Sequence, residues 1–300
     1  MNGFFRRMLK LSDRFYHLWM EKRENEYRFP EAVEAVYDLP YREDGLECHK
    51  FDLFLPRNRE KKLPVILNFH GGGLVLCTRH MNRPFCAELA MHGYAVFGID
   101  YPLLPERDAC GILADVCEAM RYVDSVLEQY GCDRDNVFVT GDSAGAFLAV
   151  YAEAARKNPE IARAAGVTPA GLEIRAMSLV SGMFDTVLCD DPGAVMRREF
   201  YGKNWRSHPM LPYLRPSCPA VASAMPPVML VTAKFDKLRR ATLRFARGLR
   251  EAGTEVQVLD FPARPMIRHD FVVLAPEKGP GRDAVEQMVQ FMYRFAKNGD

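Results

Sequence analysis

Three hundred residues, 48% of them hydrophobic and 26% charged, supply the apolar mass of a large core and exclude a disordered, collagenous or disulfide-stapled miniature protein. Forty Lys and Arg stand against 39 Asp and Glu, which leaves no basic excess for a phosphate backbone, so nucleic acid is not an expected partner. The eight cysteines (48, 77, 86, 110, 117, 132, 189 and 218) form no CxxC pair, and Arg6, Arg7, Lys10, Asp13 and Arg14 break every apolar run a secretory leader would need, so free thiols in the cytoplasm are expected.

Along the chain, residues 1–30 carry Phe4, Phe5, Met8, Leu9, Phe15, Leu18 and Trp19 at helical spacing, a pattern for an amphipathic cap helix region. Strand-like runs follow at 33–39, 50–55, 65–69, 95–99, 137–140, 176–180, 228–232 and 255–261. The middle runs are almost wholly apolar, as strands covered on both faces require. Helical periodicity occupies 83–92, 115–130, 144–156, 239–252 and 283–297, with Gly93, Gly131 and Gly253 placed to end helices. Alternation of strand and helix predicts an α/β domain over 31–300 with a mostly parallel sheet, and the first two strands, lacking a helix between them, an antiparallel edge. Residues 185–220 break the alternation with five prolines and read as a cap insertion into that domain. The longest uncharged stretch, 216–233, contains Pro216, Pro219, Pro226 and Pro227, so no membrane span is expected.

Gly141-Asp142-Ser143-Ala144-Gly145 lies directly after one strand and before an alanine-rich helix. A GxSxG match alone is weak; a chain of this length shows one by chance roughly one time in ten at average composition. Its strand-to-helix setting strengthens it, because a serine exposed on a sharp turn needs small neighbours and gains from the helix N-terminus. Upstream, the strand at 65–69 runs into His70-Gly71-Gly72-Gly73, whose backbone N–H groups are uncovered. Gly72 and Gly73, with the N–H of Ala144, are the expected oxyanion donors. Replacing Gly73 by proline, which removes an N–H, is then expected to abolish turnover.

A serine nucleophile needs a base, and the base an orienting carboxylate. Only His208 and His269 follow Ser143, and His269, after the last strand, is the better placed. Asp236, four residues past the strand at 228–232, is the expected acid; Asp260 is the runner-up and reads as structural. Asp270, next to His269, is expected to be solvated, too close in sequence to reach across the imidazole.

Together with Asp100-Tyr101-Pro102-Leu103-Leu104-Pro105-Glu106, Thr232-Ala233-Lys234-Phe235-Asp236 and His269-Asp270-Phe271, the HGGG and GDSAG runs resemble, in order and spacing, the signatures of the hormone-sensitive-lipase-like esterases. The resemblance spans about residues 33–297 and implies an α/β-hydrolase fold, a mostly parallel eight-stranded sheet flanked by helices, with a helical cap. It implies a carboxylesterase acting on small-molecule esters, often of short acyl length, with no metal and no organic cofactor. It also implies Ser143 as nucleophile, His269 as base, Asp236 as acid, and Gly72, Gly73 and Ala144 as oxyanion donors.

The chain departs from the family pattern at Lys237-Leu238-Arg239-Arg240, where a second Asp is replaced by arginine, at Pro102 and Leu104, and at Cys77, where a small glycine is expected. Leu74, Leu76 and Cys77, in the loop after HGGG, are candidate substrate contacts, with core packing as their alternative. Phe200, Tyr201, Trp205 and Tyr213 are expected to close a hydrophobic pocket or to form a homodimer surface. An amidase or peptidase using the same triad, a non-catalytic ligand-binding protein on the same fold and an interaction protein are the competing readings.

Overall fold

The computed structural model describes residues 26–188 and 192–297. The helix expected over 1–30 lies outside the described residues but for its last five positions, as does Cys189. The strands are β1 (Val33–Pro40), β2 (Lys50–Pro56), β3 (Leu63–Phe69), β4 (Ala95–Ile99), β5 (Cys132–Asp142), β6 (Ile174–Val180), β7 (Val228–Ala233) and β8 (Val256–Phe261). They form one sheet in the order β1-β2-β4-β3-β5-β6-β7-β8. Strand β2 pairs antiparallel with both β1 and β4, and every other pairing is parallel. All eight expected strands are present. Strand β5 begins five residues earlier than its apolar run because Cys132 pairs with Leu63 ahead of a register shift, so polar residues 133–136 precede the buried part of the strand.

Alternation along the central strands feeds two cores, one on each sheet face. Val65, Leu67 and Phe69 of β3 and Val139 of β5 join one, and Ile66 and Phe138 the other. The first core is covered by helices α2 (Ala109–Val126), α3 (Ala144–Lys157) and α7 (Arg239–Glu251) through Ile112, Phe147 and Phe245. The second is covered by α1 (Arg83–Met91), α8 (Phe271–Leu274) and α9 (Gly279–Tyr293) through Phe85, Val272 and Met288.

Helix α2 starts six residues before its expected position. Asp108 caps it, its carboxylate accepting from the Gly111 N–H at 2.8 Å, and the weak helix former Gly111 interrupts the helical periodicity of that first turn. A further helix, α4 (Pro159–Ala165), carries an Asn158 cap, Pro159 in its first turn and left-handed Gly166 after its end.

Among the described residues, the segment joining β6 to β7 holds α5 (Arg197–Tyr201), α6 (Pro219–Ala222) and three short 3₁₀ stretches. Among the described residues no helix is long and apolar enough to cross a membrane. The parallel strands all point their C-terminal ends the same way, and in such sheets ligands bind outside those ends. The loops after β3, β5, β7 and β8, which carry the candidate residues, therefore converge on one edge.

Candidate active site

Strand β5 stops at Asp142 and α3 starts at Ala144, leaving Ser143 alone to turn the chain, with φ 49° and ψ −111°. A non-glycine residue there is strained, and the surroundings must hold it. The Ser143 N–H donates to the Val180 carbonyl at 2.9 Å, and its own carbonyl accepts from Met183 N–H at 2.8 Å. The turn closes only because β3 and α3 meet at Gly145. A methyl group on that residue would lie 2.0 Å from the Phe69 carbonyl oxygen. Gly145→Ala is therefore expected to destabilise the fold by about 1–3 kcal/mol or more, read as a lower urea midpoint. An unchanged midpoint would show that this approach is not a tight one.

Asp236 follows β7 on a turn in which its N–H donates to the Ala233 carbonyl at 2.9 Å. Its carboxylate accepts from the Leu238 N–H at 2.8 Å and from Thr232 Oγ1 at 3.3 Å. His269 sits on the loop after β8, with Nδ1 2.9 Å from Asp236 Oδ1 and Nε2 3.1 Å from Ser143 Oγ. The structure thus brings Ser143, His269 and Asp236 into one line of contacts. Burial acts to raise the Asp236 carboxyl, but the hydrogen bond and charge of His269, with help from Ser181 and the Leu238 N–H, hold it below its ordinary value. Asp260 is elsewhere, paired with Arg239 at the sheet edge, and His208 Nδ1 accepts from Met210 N–H within the inserted segment.

The expectation for Asp270 is overturned. Asp270 is not solvated: it is 8% exposed, and its Oδ2 lies 2.9 Å from His269 Nε2. The reason is conformational, since Asp270 takes φ 55° and ψ 22°, and this left-handed turn folds its carboxylate back onto the preceding imidazole. His269 is thereby raised from 6.5 to about 9: burial works against its charged form, but Asp270 and then Asp236 outweigh it.

Asp142, the second residue of the GDSAG run, is also more than turn filler. It is fully buried, and its Oδ1 accepts from Asn82 Nδ2 at 2.7 Å. Burial first, and the charge of Asp270 second, push its carboxyl well above the carboxylate range. Asn82 also donates to Asn68 Oδ1 at 2.9 Å, and Asn68 donates to Thr140 Oγ1 at 3.0 Å, so a polar ladder runs beneath the turn.

The glycine loop is anchored from below. His70 stacks on Tyr101 with ring centroids 4.2 Å apart, and the Tyr101 hydroxyl donates to the His70 carbonyl. His70 Nε2 lies 2.8 Å from Asp100 Oδ1, and Arg79 Nη1 donates to Asp100 Oδ2 at 2.8 Å. Gly72 has φ 109°, and a Cβ there would lie 2.0 Å from the Leu76 carbonyl oxygen, so the loop folds back on itself as no other residue would permit. Gly73 has φ 64°, which proline cannot adopt. Gly73→Pro would therefore disrupt the whole loop as well as delete an N–H, and it is a poorer probe of the donor than the sequence suggests.

A cavity of about 470 Å³ opens over Ser143 and is lined by Gly72, Gly73, His269 and Asp270. Ala144, at the first turn of α3, has an N–H without an intrahelical partner. Leu76 and Cys77 line the cavity, but Leu74 does not. The successive left-handed residues Gly73 and Leu74 turn the Leu74 side chain into the core, where it is fully buried. Of the four aromatic residues expected over the serine, only Phe200 reaches the wall, beside Val195 and Met196. Tyr201 instead bonds Thr186 at 2.8 Å, Trp205 lies between Arg197 and Arg206, and the Tyr213 carbonyl accepts from the Tyr151 hydroxyl at 2.6 Å. A larger cleft of about 620 Å³, beside Lys157, Arg175 and Phe295, lies at the other end of the sheet, away from these groups.

A family model described as alpha/beta hydrolase fold matches residues 66–272. Among curated relatives, the esterase LipI of Mycobacterium tuberculosis is 29% identical over 204 residues, 66% of this chain and 63% of its own length. The carboxylesterase NlhH of the same organism is 27% identical over 239 residues, 78% of this chain and 75% of its own. The chain thus spans a little under two thirds of the first relative and three quarters of the second. The solved structure of esterase B from Lactobacillus rhamnosis superposes with a TM-score of 0.89 at 24% identity, covering 96% of this chain and 94% of that one, which is a likeness of fold.

Proposed function

We propose, since the chain belongs to the alpha/beta hydrolase fold family, that it is a serine carboxylesterase hydrolysing small esters of short to medium acyl length. The observation that carries this reading is the relay from Asp236 through His269 to Ser143, with contacts of 2.9 and 3.1 Å. The names of the relatives LipI and NlhH support the ester class.

Neutral His269 takes the Ser143 proton as Oγ attacks the ester carbonyl, and Asp236 orients the imidazole and stabilises its charged form. The oxyanion is received by the N–H groups of Gly72, Gly73 and Ala144. Amides at a helix N-terminus and on a glycine loop are fixed before charge develops, so they require no reorganisation during the step. His269 then protonates the leaving alcohol, and water repeats the sequence on the acyl-enzyme.

Val75, Leu76, Met81, Met183, Met196 and Phe200 give the cavity an apolar wall, which suits an uncharged acyl chain or alcohol. Residues 193–200 contribute part of that wall, and we assign the segment at 185–220 the role of a cap. Methionine supplies three of these side chains, and its flexibility fits a site that adapts to several small esters.

Steady-state hydrolysis of p-nitrophenyl esters from acetate to decanoate tests the reading. The expected profile peaks at short to medium acyl length. No turnover by the folded protein, together with no labelling of Ser143 by a fluorophosphonate, would overturn it.

A further inference from the structure

We propose that Asp270 is a second carboxylate partner of His269, a positioning residue that holds the imidazole from its Nε2 side and sets the pH at which the site becomes competent. The inference rests on the reading of Ser143 as nucleophile and His269 as base.

The imidazole lies between two carboxylates. Asp236 Oδ1 is 2.9 Å from Nδ1, and Asp270 Oδ2 is 2.9 Å from Nε2, the nitrogen that also faces Ser143 Oγ at 3.1 Å. Two acceptors thus compete for one N–H. Asp270 is placed by its backbone, whose N–H donates to Ser181 Oγ at 3.2 Å directly before α8; its Oδ1 is buried without a hydrogen-bond partner, so His269 is the partner its carboxylate has. Ser181 also helps to hold the Asp236 carboxyl below its ordinary value, so one residue bears on both acids.

Charged groups on the neighbouring elements do not cancel the pair. Lys237, on the loop after β7, lines the cavity but is exposed, and Arg268 is exposed and turned to the Pro265 carbonyl, 2.9 Å from its Nε. Asp142, from the turn before α3, has its carboxyl pushed well above the carboxylate range by burial and then by Asp270, which disfavours a third negative charge beside the pair. Two carboxylates against one imidazole favour the imidazolium, in keeping with the rise of His269 to about 9.

The consequence has two opposing parts. A base must be neutral to take the serine proton, so at neutral pH only a small fraction of molecules, on the order of one in a hundred, is competent. In those molecules the imidazolium formed during attack is stabilised from both nitrogens, so each reacts faster. Asp270→Asn removes the charge, and asparagine tolerates the left-handed conformation. It is expected to move the acid limb of kcat/KM down by about one unit or more and to lower the alkaline plateau by a smaller factor, about 3-fold, because only part of the lost basicity is felt in the transition state. The two profiles then cross, with the variant faster at pH 7 and slower at pH 9.5. A residue with a merely structural role would lower activity by one factor at every pH.

The test is kcat/KM for a p-nitrophenyl ester from pH 5.5 to 10 in wild type and Asp270→Asn, corrected for spontaneous hydrolysis. A ¹⁵N NMR titration of His269 in the wild type, assigned by its loss in His269→Gln, needs neither substrate nor the variant. Crossing profiles and an imidazolium that persists beyond pH 8 support the proposal. Parallel profiles, or a wild-type His269 that titrates below pH 8, overturn it while leaving the esterase reading intact. Absence of both turnover and fluorophosphonate labelling of Ser143 at every pH would remove the reading itself, and this proposal with it.

Discussion

Ser143→Ala is expected to lower kcat by about 10⁴- to 10⁶-fold and to abolish labelling by a fluorophosphonate. The magnitude follows from what remains. Without Oγ no acyl-enzyme forms, and the Gly72, Gly73 and Ala144 amides can still favour a tetrahedral oxyanion only when water attacks directly. His269→Ala is expected to fall by a similar factor, and the double variant no further, because the two groups act in one proton transfer and their losses do not add. Folding is little affected: Ser143 is held by its backbone bonds to Val180 and Met183, which alanine keeps, so the urea midpoint is expected to shift by less than about 1 kcal/mol in stability. Measured together, kcat and the unfolding midpoint separate loss of chemistry from loss of fold. Activity of Ser143→Ala within tenfold of the wild type would exclude the acyl-enzyme route.

The parts of this site that are local in sequence are the parts that can be read from it. GDSAG lies within five residues of a strand end, and Asp236 and His269 follow strands whose apolar runs are plain, so their places just beyond strand ends separate them from Asp260, within a strand, and His208, within the inserted segment. What escapes is set by backbone conformation or by distant partners. Asp270 contacts His269 only through a left-handed turn, which carries no composition signature when the residue is aspartate. Leu74 differs from Leu76 in one dihedral region, and that sends one side chain to the core and the other to the cavity. Asp142 stands inside a motif in which the serine takes the attention, although an acid at the end of a buried run is itself a sign of a compensating network. The same sign was available at Asp52, the one charge within the buried run of β2, and it points to Arg79.

Arg79→Met is expected to destabilise the protein by about 3–5 kcal/mol, a fall in melting temperature on the order of 10 °C, and to reduce activity without touching the triad. The guanidinium is completely buried and gathers carboxylates from four places: Asp38 on β1, Glu47 in the following loop, Asp52 on β2 and Asp100 after β4. Asp52 and Asp100 are themselves buried; Asp52 would keep Arg83, whose Nε lies 2.7 Å from its Oδ2, but Asp100 would lose its only arginine out of reach of solvent, which is far more unfavourable than the loss of a surface pair. Asp100 is also the partner of His70 Nε2, and His70 opens the glycine loop that carries two of the three proposed oxyanion donors. Relaxation of Asp100 therefore frees His70 to move, and kcat is expected to fall with KM less altered, as when oxyanion stabilisation is weakened. Arg79→Lys keeps the charge but cannot reach four acceptors through one planar fork, so it is expected to recover only part of the stability. Urea unfolding and kcat measured on both variants decide the matter: if Arg79→Met unfolds within 1 kcal/mol of the wild type, the buried network does not hold the loop, and the stacking of His70 on Tyr101 must do so alone.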